Sequence, residues 1–490
     1  MKPIELSERL GRWSSGRGPL YVLLATRLRR LIDEGELPPG EPLPPDRSLA
    51  AALTVGRSTV VAAYDLLRHE GRIARRQGSG TVVAGVRTDA EAGPEASRAS
   101  VTGRAGLRRT TDAPLFLHLL EPQDGVILLA CAAPDAPPPE LADAYARILP
   151  RLKATSGDIG YYPTGHPALR RAIADRYTER GVRTSPARIL VTNGAQQALS
   201  VLARALLAPG DRVLVEAPTY PGALEAFREA AGVLRALPIG LPGLGPAARQ
   251  HRPALAYAIP SFHNPTGSVL APLSRRSLAR TATAAGLALI DDETLSDLGF
   301  PGEEVPVPLA AYADGVISVG SLSKIVWGGL RIGWLRAPEP LVARLARLLA
   351  VQNLGGNIPG QLAAAELLPR LGPLIARRAA EREARHDHIR GQLATHLPEW
   401  DVPAVRGGQT LWVRLPRGDG ISFAQAALRH RVAVLPGSGL DASGTSPDYL
   451  RIHFLASPED LTEAVRRLAE AWRGYRPPAK PVTSPAALSV

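Results

Sequence analysis

Ser318-Val-Gly-Ser321-Leu-Ser323-Lys324-Ile-Val-Trp-Gly328-Gly329-Leu-Arg331-Ile-Gly333 is the stretch from which the rest of the chain can be read. The apolar run from Gly315 to Val319 predicts a short buried strand that ends in a turn of small residues and hydroxyls. That turn carries one lysine and, seven residues later, one arginine. Of the 58 Lys and Arg residues in the chain only four are lysines: Lys2, Lys153, Lys324 and Lys480. Where an arginine would serve, this sequence uses one, so Lys324 points to chemistry that needs an amine. An amine that is desolvated, or set near another cation, loses its proton and can form a Schiff base with an aldehyde, which a guanidinium cannot do. Arg331 is a natural partner for a phosphate. The competing reading is a surface lysine after a strand, and the spacing alone does not exclude it.

The 490 residues exceed what one hydrophobic core usually serves and predict two or three domains. With 45% hydrophobic and 21% charged residues the composition is that of a globular chain. No apolar stretch reaches the roughly 18 to 20 residues needed to span a bilayer, which argues against a membrane partner. Met1-Lys-Pro-Ile-Glu-Leu-Ser-Glu8 lacks the apolar core of a signal peptide, and the single cysteine, Cys131, excludes an internal disulfide. The expectation is a cytoplasmic protein. A formal net charge of +12 fits a polyanionic partner, but Arg, Ala, Gly and Pro are frequent along the whole chain, so charge alone decides little.

Residues 19–84 carry their own punctuation. Leu20, Leu23, Leu24, Leu28, Leu31 and Ile32 recur at helical spacing, and the pattern stops at Glu34-Gly35 before Leu37-Pro-Pro-Gly40. Asp46-Arg47-Ser48-Leu49-Ala50 then starts a short helix, Thr54-Val55-Gly56 turns, and Arg57-Ser58-Thr59-Val60 opens a second helix running to about His69. Val60, Ala63, Tyr64 and Leu67 share the packing face of that helix. Arg57, Ser58 and Thr59 at its N-terminus are short or forked donors suited to phosphates and base edges. Ile73-Ala-Arg75-Arg76-Gln77-Gly78-Ser79-Gly80-Thr81-Val82-Val83 reads as a hairpin with a basic arm and a glycine tip. The whole is a helix-turn-helix with a wing. A helical hairpin serving only as a dimerisation arm is the alternative.

This segment resembles the GntR-type winged helix-turn-helix over about 65 residues. The resemblance lies in Pro19-Leu-Tyr, Leu37-Pro-Pro-Gly40, Leu43-Pro-Pro-Asp-Arg47, Val55-Gly-Arg-Ser-Thr-Val60 and Arg75-Arg-Gln-Gly-Ser-Gly-Thr81. It implies that Arg47, Arg57, Ser58, Thr59 and the wing-tip Gly78 contact operator DNA; the basic arm of the hairpin, Arg75 and Arg76, is expected to add nonspecific affinity. Val61 stands where some relatives carry a basic residue.

Residues 85–113 are rich in Ala, Gly, Thr, Ser and Arg without apolar periodicity and read as a flexible linker. From residue 114 to 473 short apolar strands alternate with amphipathic helices: 188–192 then 196–207, 212–216 then 222–230, 254–260, 287–291 and 316–319. That alternation predicts an α/β fold with a mixed, mostly parallel sheet. Long Arg- and Glu-rich helices follow Arg331 up to about Leu397. Strands near 411–415, 432–435 and 449–454 then predict a small C-terminal α+β domain, and residues 474–490 read as a disordered tail.

Four further motifs sit at expected strand ends, where open α/β sheets place ligands. Thr192-Asn-Gly194-Ala195-Gln196-Gln197 opens a helix, so its backbone N–H groups can hold a phosphate. Glu216-Ala-Pro-Thr-Tyr220-Pro presents an aromatic that can stack on a flat ring or cap the sheet. Ser261-Phe-His-Asn264-Pro-Thr-Gly267 is a tight turn that aims an amide at a ring hydroxyl. Ala288-Leu-Ile-Asp291-Asp292-Glu293 puts carboxylates directly after a buried strand, where an acid can pair with a protonated ring nitrogen or merely cap the next helix.

In this order, with Lys324 and Arg331 after them, residues 117–472 resemble the fold-type I, aspartate-aminotransferase-like proteins that use pyridoxal 5'-phosphate (PLP). The resemblance implies that Lys324 is the Schiff-base lysine, Asp292 pairs with the pyridine nitrogen, Asn264 bonds the ring hydroxyl and Tyr220 stacks on the ring. It gives the phosphate to Ala195, Gln196, Ser321, Ser323 and Arg331, and to Tyr161 reaching from a second subunit, with Tyr162 nearly as good a match. Arg451, in Tyr449-Leu-Arg-Ile-His453, matches the arginine that binds a substrate carboxylate. Relatives carry a tyrosine shortly after the ring aspartate, and here the residues are Glu293-Thr294-Leu295.

A GntR-type module linked to an aminotransferase-like body is the arrangement of the MocR/GabR-type transcription regulators. That resemblance implies a head-to-tail, domain-swapped homodimer that binds operator DNA and senses PLP or a small amino compound. The alternatives are a working aminotransferase with an accessory DNA-binding module and a structural dimer with a dead site. The third leaves the lysine, aspartate, asparagine and arginine set without a reason.

Overall fold

The computed structural model describes residues 3–11, 13, 20–33, 36–38, 40–53, 55–69, 72–76, 80–83, 125–154 and 156–478. Two compact units divide between Arg108 and Arg109, so the expected linker at 85–113 lies outside the described residues.

The first unit contains α1 (Pro3–Leu10), α2 (Leu20–Asp33), β1 (Pro42–Leu43), α3 (Asp46–Leu53), α4 (Arg57–His69), β2 (Ile73–Arg76) and β3 (Gly80–Val83). Leu24, Leu28 and Leu31 of α2 close over Leu49 and Leu53 of α3 and the Val60, Ala63, Tyr64 and Leu67 face of α4. Leu20, at the exposed first position of α2, is the one member of the expected stripe that points to solvent. The helix α1, which sequence periodicity leaves unannounced, adds Leu6 and Leu10 to the same core. The expected hairpin is present as β2 antiparallel to β3, and β1 completes a three-stranded sheet in the order β1-β3-β2.

The second unit runs β4 (Ile127–Leu128), α5 (Pro139–Ala154), α6 (Pro167–Glu179), β5 (Ile189–Thr192), α7 (Ala195–Leu206), β6 (Arg212–Glu216), α8 (Pro221–Glu229) and β7 (Val233–Leu237). It continues with α9 (Leu244–His251), β8 (Leu255–Ala258), α10 (Pro272–Ala284), β9 (Ala288–Asp292), β10 (Ile317–Ser321), β11 (Gly333–Arg336) and the helices α11 (Glu339–Asn353), α12 (Ile358–Leu367) and α13 (Leu371–His396). It closes with β12 (Thr410–Arg414), α14 (Gly420–Arg429), β13 (Val432–Ala433), β14 (Leu435–Pro436), β15 (Tyr449–His453) and α15 (Pro458–Gly474).

Seven strands form the main sheet in the order β5-β11-β10-β9-β8-β6-β7. All are parallel except β11, which pairs antiparallel with both β10 and β5, so the sheet is mixed and mostly parallel. Sequence reading misses β7, whose apolar run is broken by Arg235, and β11, four residues hidden behind the turn that carries Arg331. Strands buried on both faces, such as Leu255-Ala-Tyr-Ala258, need helices on each side, and the intervening helices supply them. The smaller sheet, β12-β15-β14, packs α13, α14 and α15 around a second core.

The expected tail boundary at residue 474 needs correction. Helix α15 runs through Gly474, and Tyr475 is 1% exposed against Phe423 and Trp472, with its hydroxyl within 2.6 Å of Ser422 Oγ. The packed body therefore reaches Tyr475, because an aromatic there completes a ring cluster. Residues 479–490 lie outside the described residues.

Candidate cofactor site and nucleic-acid interface

The parallel strands of the main sheet end on one edge, and the expected body residues follow those ends. Gly194 begins α7 after β5 at φ 88, with no side-chain cap, so the first turn of that helix offers backbone N–H groups to an anion. A Cβ on Gly194 would lie 2.7 Å from Arg331 Nη2, and one on Gly333 would lie 2.6 Å from the Gly194 carbonyl carbon. Both glycines thus permit the Arg331 turn to press against the head of α7. Arg331 itself adopts φ 54 and donates from Nη2 to the Asn193 carbonyl at 2.5 Å. On the facing strand Ser321 Oγ lies 3.0 Å from Ser323 Oγ and accepts the Ser323 N–H at 3.1 Å. Arg331 and the Ser321–Ser323 turn therefore lie beside the first turn of α7, where Ala195 and Gln196 sit.

Tyr220, after β6, donates its hydroxyl to Gln196 Oε1 at 3.0 Å, and Gln196 Nε2 holds the Gly222 carbonyl at 2.8 Å. Gln196 thus fixes the ring of Tyr220 with its side chain while its backbone belongs to the α7 turn. Burial pushes the Tyr220 hydroxyl up to about 12, with Asp292 adding to the effect, so it stays a neutral donor.

Asp292 ends β9 and is almost completely buried. Its Oδ2 accepts the Tyr257 hydroxyl at 2.6 Å, and its Oδ1 accepts both the Thr294 N–H at 3.0 Å and the Thr294 hydroxyl at 2.6 Å. Burial raises its pKa, opposed by those hydrogen bonds. Two residues outside the expected set thus control this carboxylate. Thr294 caps it, and Tyr257, in the middle of β8, reads in sequence as strand filling.

Lys324 follows β10 and is partly buried. Its Nζ donates to the Ala132 carbonyl at 2.6 Å, and among the described residues no carboxylate pairs with it. Desolvation lowers its pKa, helped by Arg451 and Arg331 and opposed by Cys131 and Asp292. The loop behind it is clamped by Arg378, whose Nη1 reaches the carbonyls of Ile325 and Val326 at 2.7 Å each, and by Gln409, which reaches the Lys324 carbonyl at 3.3 Å.

Arg451, from β15 of the smaller sheet, is 7% exposed and donates to the Ala130 carbonyl and, at 3.3 Å, to Asn264 Oδ1. Its Nε has no partner among the described residues, and burial pulls its pKa down to about 10. A buried guanidinium with a spare donor is costly unless an anion completes it. Asn264 is tied to that arginine rather than left open, a link between residues far apart in sequence. Tyr161 is 62% exposed and meets none of these groups, whereas Tyr162 donates its hydroxyl to Asp158 Oδ2 at 2.5 Å. No group of three or more His, Cys, Asp or Glu side chains fit to hold a metal occurs among the described residues.

In the first unit Arg57 opens α4, is 67% exposed and gives its Nε to Asp46 Oδ2 at 3.0 Å. Arg47 is exposed one residue after the start of α3, and Thr59 lies in the first turn of α4. Ser58, Arg75 and Arg76 fall within α4 and β2, but their side chains, like the whole of Gly78, lie outside the described residues. Among the described residues no helix is long and apolar enough to cross a membrane.

Residues 20–83 match the bacterial regulatory proteins of the gntR family, and residues 125–468 match the class I and II aminotransferases. The chain is 31% identical to the HTH-type transcriptional regulator YisV of Bacillus subtilis over 95% of this chain and 99% of that one. It is 31% identical to the HTH-type pyridoxine biosynthesis transcriptional regulator PdxR of Corynebacterium glutamicum, over 79% of this chain and 81% of that one. The body is similar to LysN, the α-aminoadipate aminotransferase of Thermus thermophilus solved with N-(5'-phosphopyridoxyl)-L-leucine. The TM-score is 0.67 at 29% identity, covering 74% of this chain and 95% of that one. With a gntR family module, a class I and II aminotransferase body and relatives of the same two-part build along nearly its whole length, the chain belongs to the MocR-type HTH transcriptional regulators.

Proposed function

We propose that the chain is a DNA-binding transcription regulator whose body holds PLP and senses either PLP itself or a small amino compound that reacts with it. The observation that carries the reading is the pairing of Lys324 with Arg451. An amine of lowered pKa, without a carboxylate partner among the described residues, shares a site with a buried guanidinium whose Nε has no acceptor among them. That is a donor set for an amino acid or related acid: the amine for a carbonyl, the guanidinium for a carboxylate.

The residues present fit PLP. The α7 N-terminus, Ser321, Ser323 and Arg331 form a cradle that a Cβ at Gly194 would fill. Lys324 is its covalent anchor, Asp292 holds the proton of the ring nitrogen, Asn264 meets the ring hydroxyl and Tyr220 covers the ring face. Ala195 and Gln196 give backbone N–H groups to the phosphate, and Tyr161 joins them from a second copy. When bound, PLP supplies an aldehyde for amines and a ring that delocalises charge. Arg451 takes the carboxylate of the effector. Exposed Ile159, Tyr161, Val351 and Leu354, at 82%, 62%, 89% and 51%, support a second copy packed over this face. Arg47, Arg57, Ser58, Thr59 and Gly78 meet operator DNA, with Arg75 and Arg76 adding affinity for phosphates. The setting is cytoplasmic.

Titration with PLP, followed by borohydride, tests the site. Native protein should gain visible absorbance and a reducible adduct, and Lys324→Ala should lose both while unfolding at the same temperature. An adduct retained in that variant would assign the chemistry to another lysine. PLP, with or without an amine, should change operator affinity by roughly 5- to 150-fold, the usual range of a coupling energy. A second reading, a working aminotransferase, is favoured by the hydrogen bonds from Tyr257 and Thr294 that hold Asp292. Ordinary transamination rates on a simple amino acid, with operator affinity indifferent to PLP, would establish that reading instead.

A further inference from the structure

We infer that Asp46 is a positioning residue for base reading: by docking Arg57 through Nε it presents the guanidinium as a fork, selecting a guanine at the position Arg57 reads. The inference rests on the DNA-reading role proposed above for the first unit and deepens it.

The two oxygens of Asp46 have separate tasks. Oδ1 accepts the backbone N–H of Arg47 at 2.9 Å at the start of α3, and Oδ2 accepts Arg57 Nε at 3.0 Å, at the first residue of α4. The platform under Asp46 is fixed. The Tyr64 hydroxyl, two turns into α4, is buried and donates to the Pro44 carbonyl at 2.8 Å, and Ser48 Oγ donates to the Pro45 carbonyl at 2.9 Å. The carboxylate is thus referenced to α4 itself rather than to a swinging loop. Arg57 is held at Nε alone, and among the described residues neither Nη has a partner. With 67% of its side chain exposed, the Nη edge is left for a ligand. Two parallel N–H groups at fixed spacing match the O6 and N7 acceptors of guanine, the commonest specific arginine contact in the major groove.

Stability does not account for the pair, because exposed ion pairs contribute little. Electrostatics works against it as well. A carboxylate beside the recognition helix repels the DNA backbone and weakens every duplex alike. The two effects of Asp46 therefore have opposite signs: it lowers affinity for any DNA and raises discrimination between sequences.

The test uses full-length, PLP-loaded protein and a randomised duplex library, with selected sequences then measured by fluorescence anisotropy against an unrelated duplex at one salt concentration. Native protein should enrich a guanine at one position per half-site. Asp46→Asn and Asp46→Ala should bind the unrelated duplex as tightly as native or more tightly. Their ratio of selected to unrelated affinity should fall by roughly 5- to 150-fold as the guanine preference collapses. Asp46→Glu, which keeps the carboxylate, should recover most of the ratio. Asp46→Asn with the native ratio overturns the inference, as does an equal loss on both duplexes, which would mark a merely structural role. Arg57→Ala separates the inference from its premise. If native protein selects a sequence, Arg57→Ala loses it and Asp46→Asn keeps it, positioning falls and DNA reading stands. If native protein enriches no sequence, the DNA-reading role itself falls.

Discussion

In the first unit the two DNA-assigned arginines whose side chains are described stand in solvent: Arg57 is 67% exposed and steadied by one carboxylate, and Arg47 is open. In the body Asp292 and Arg451 are nearly inaccessible, and Lys324 is partly buried with its Nζ on the Ala132 carbonyl. The first arrangement keeps its charges hydrated and acts at short range through many weak contacts. The second removes water, so that each hydrogen bond shifts a proton equilibrium. A polyanion suits the one and a single small molecule suits the other.

Ionic strength should split the two regions most widely. If the reader neutralises six to ten phosphates, raising salt from 50 to 200 mM should weaken operator binding by about 10³- to 10⁵-fold. PLP affinity should stay within about twofold over the same range, since enclosed groups are screened far less. Equal salt slopes in an anisotropy and an absorbance titration would erase the contrast.

A smaller effect should follow from Tyr257→Phe. It removes one of the three hydrogen bonds to Asp292 and leaves the strand packing intact, so PLP affinity should drop by about tenfold or more, as for a bond to a charged group. Operator affinity of the cofactor-free protein should not move. A variant with native PLP affinity would reduce Tyr257 to the filler its sequence setting suggests.

A third effect concerns acid stability. His453 sits behind Arg451, gives Nε2–H to the Leu128 carbonyl at 2.6 Å and accepts the Leu455 N–H at Nδ1. Burial pulls its pKa down to about 4 from an ordinary 6.5. Above pH 6.5 neither folded nor unfolded chain binds this proton. As pH falls toward 4 the unfolded chain binds it and the folded chain refuses it, so stability is lost across that window. The loss should be on the order of 2 kcal/mol at pH 5. Denaturant titrations at pH 7 and pH 5 should show this slope in the native body and a flatter one in His453→Gln.

The lysine turn, the donors around it and the helix-turn-helix are legible in sequence because each is local. A strand, a turn and a helix start lie within about ten residues of one another. Strand β6 falls on its expected residues for the same reason. What escapes depends on distance or on brevity. The link between Arg451 and Asn264 joins two domains of the body, and Tyr257 gains its role only from β9 alongside it. Strand β11 is four residues long, too short for any periodicity to declare itself. Tyr475 resembles the start of a Pro- and Ala-rich tail until Trp472 and Phe423 receive it.

The antiparallel β11 also sets an order in time. Gly333 pairs with Thr192 and with Ser321, so β5, which leads into the α7 turn, joins the sheet only after β11 has been made. The reader is complete at Val83 and has its own core. At about 5 to 20 residues per second, translation separates these two events by roughly 10 to 50 s. During synthesis the first unit can thus fold well before β5 joins the main sheet, so a nascent or truncated chain carries the helix-turn-helix unit without a completed body.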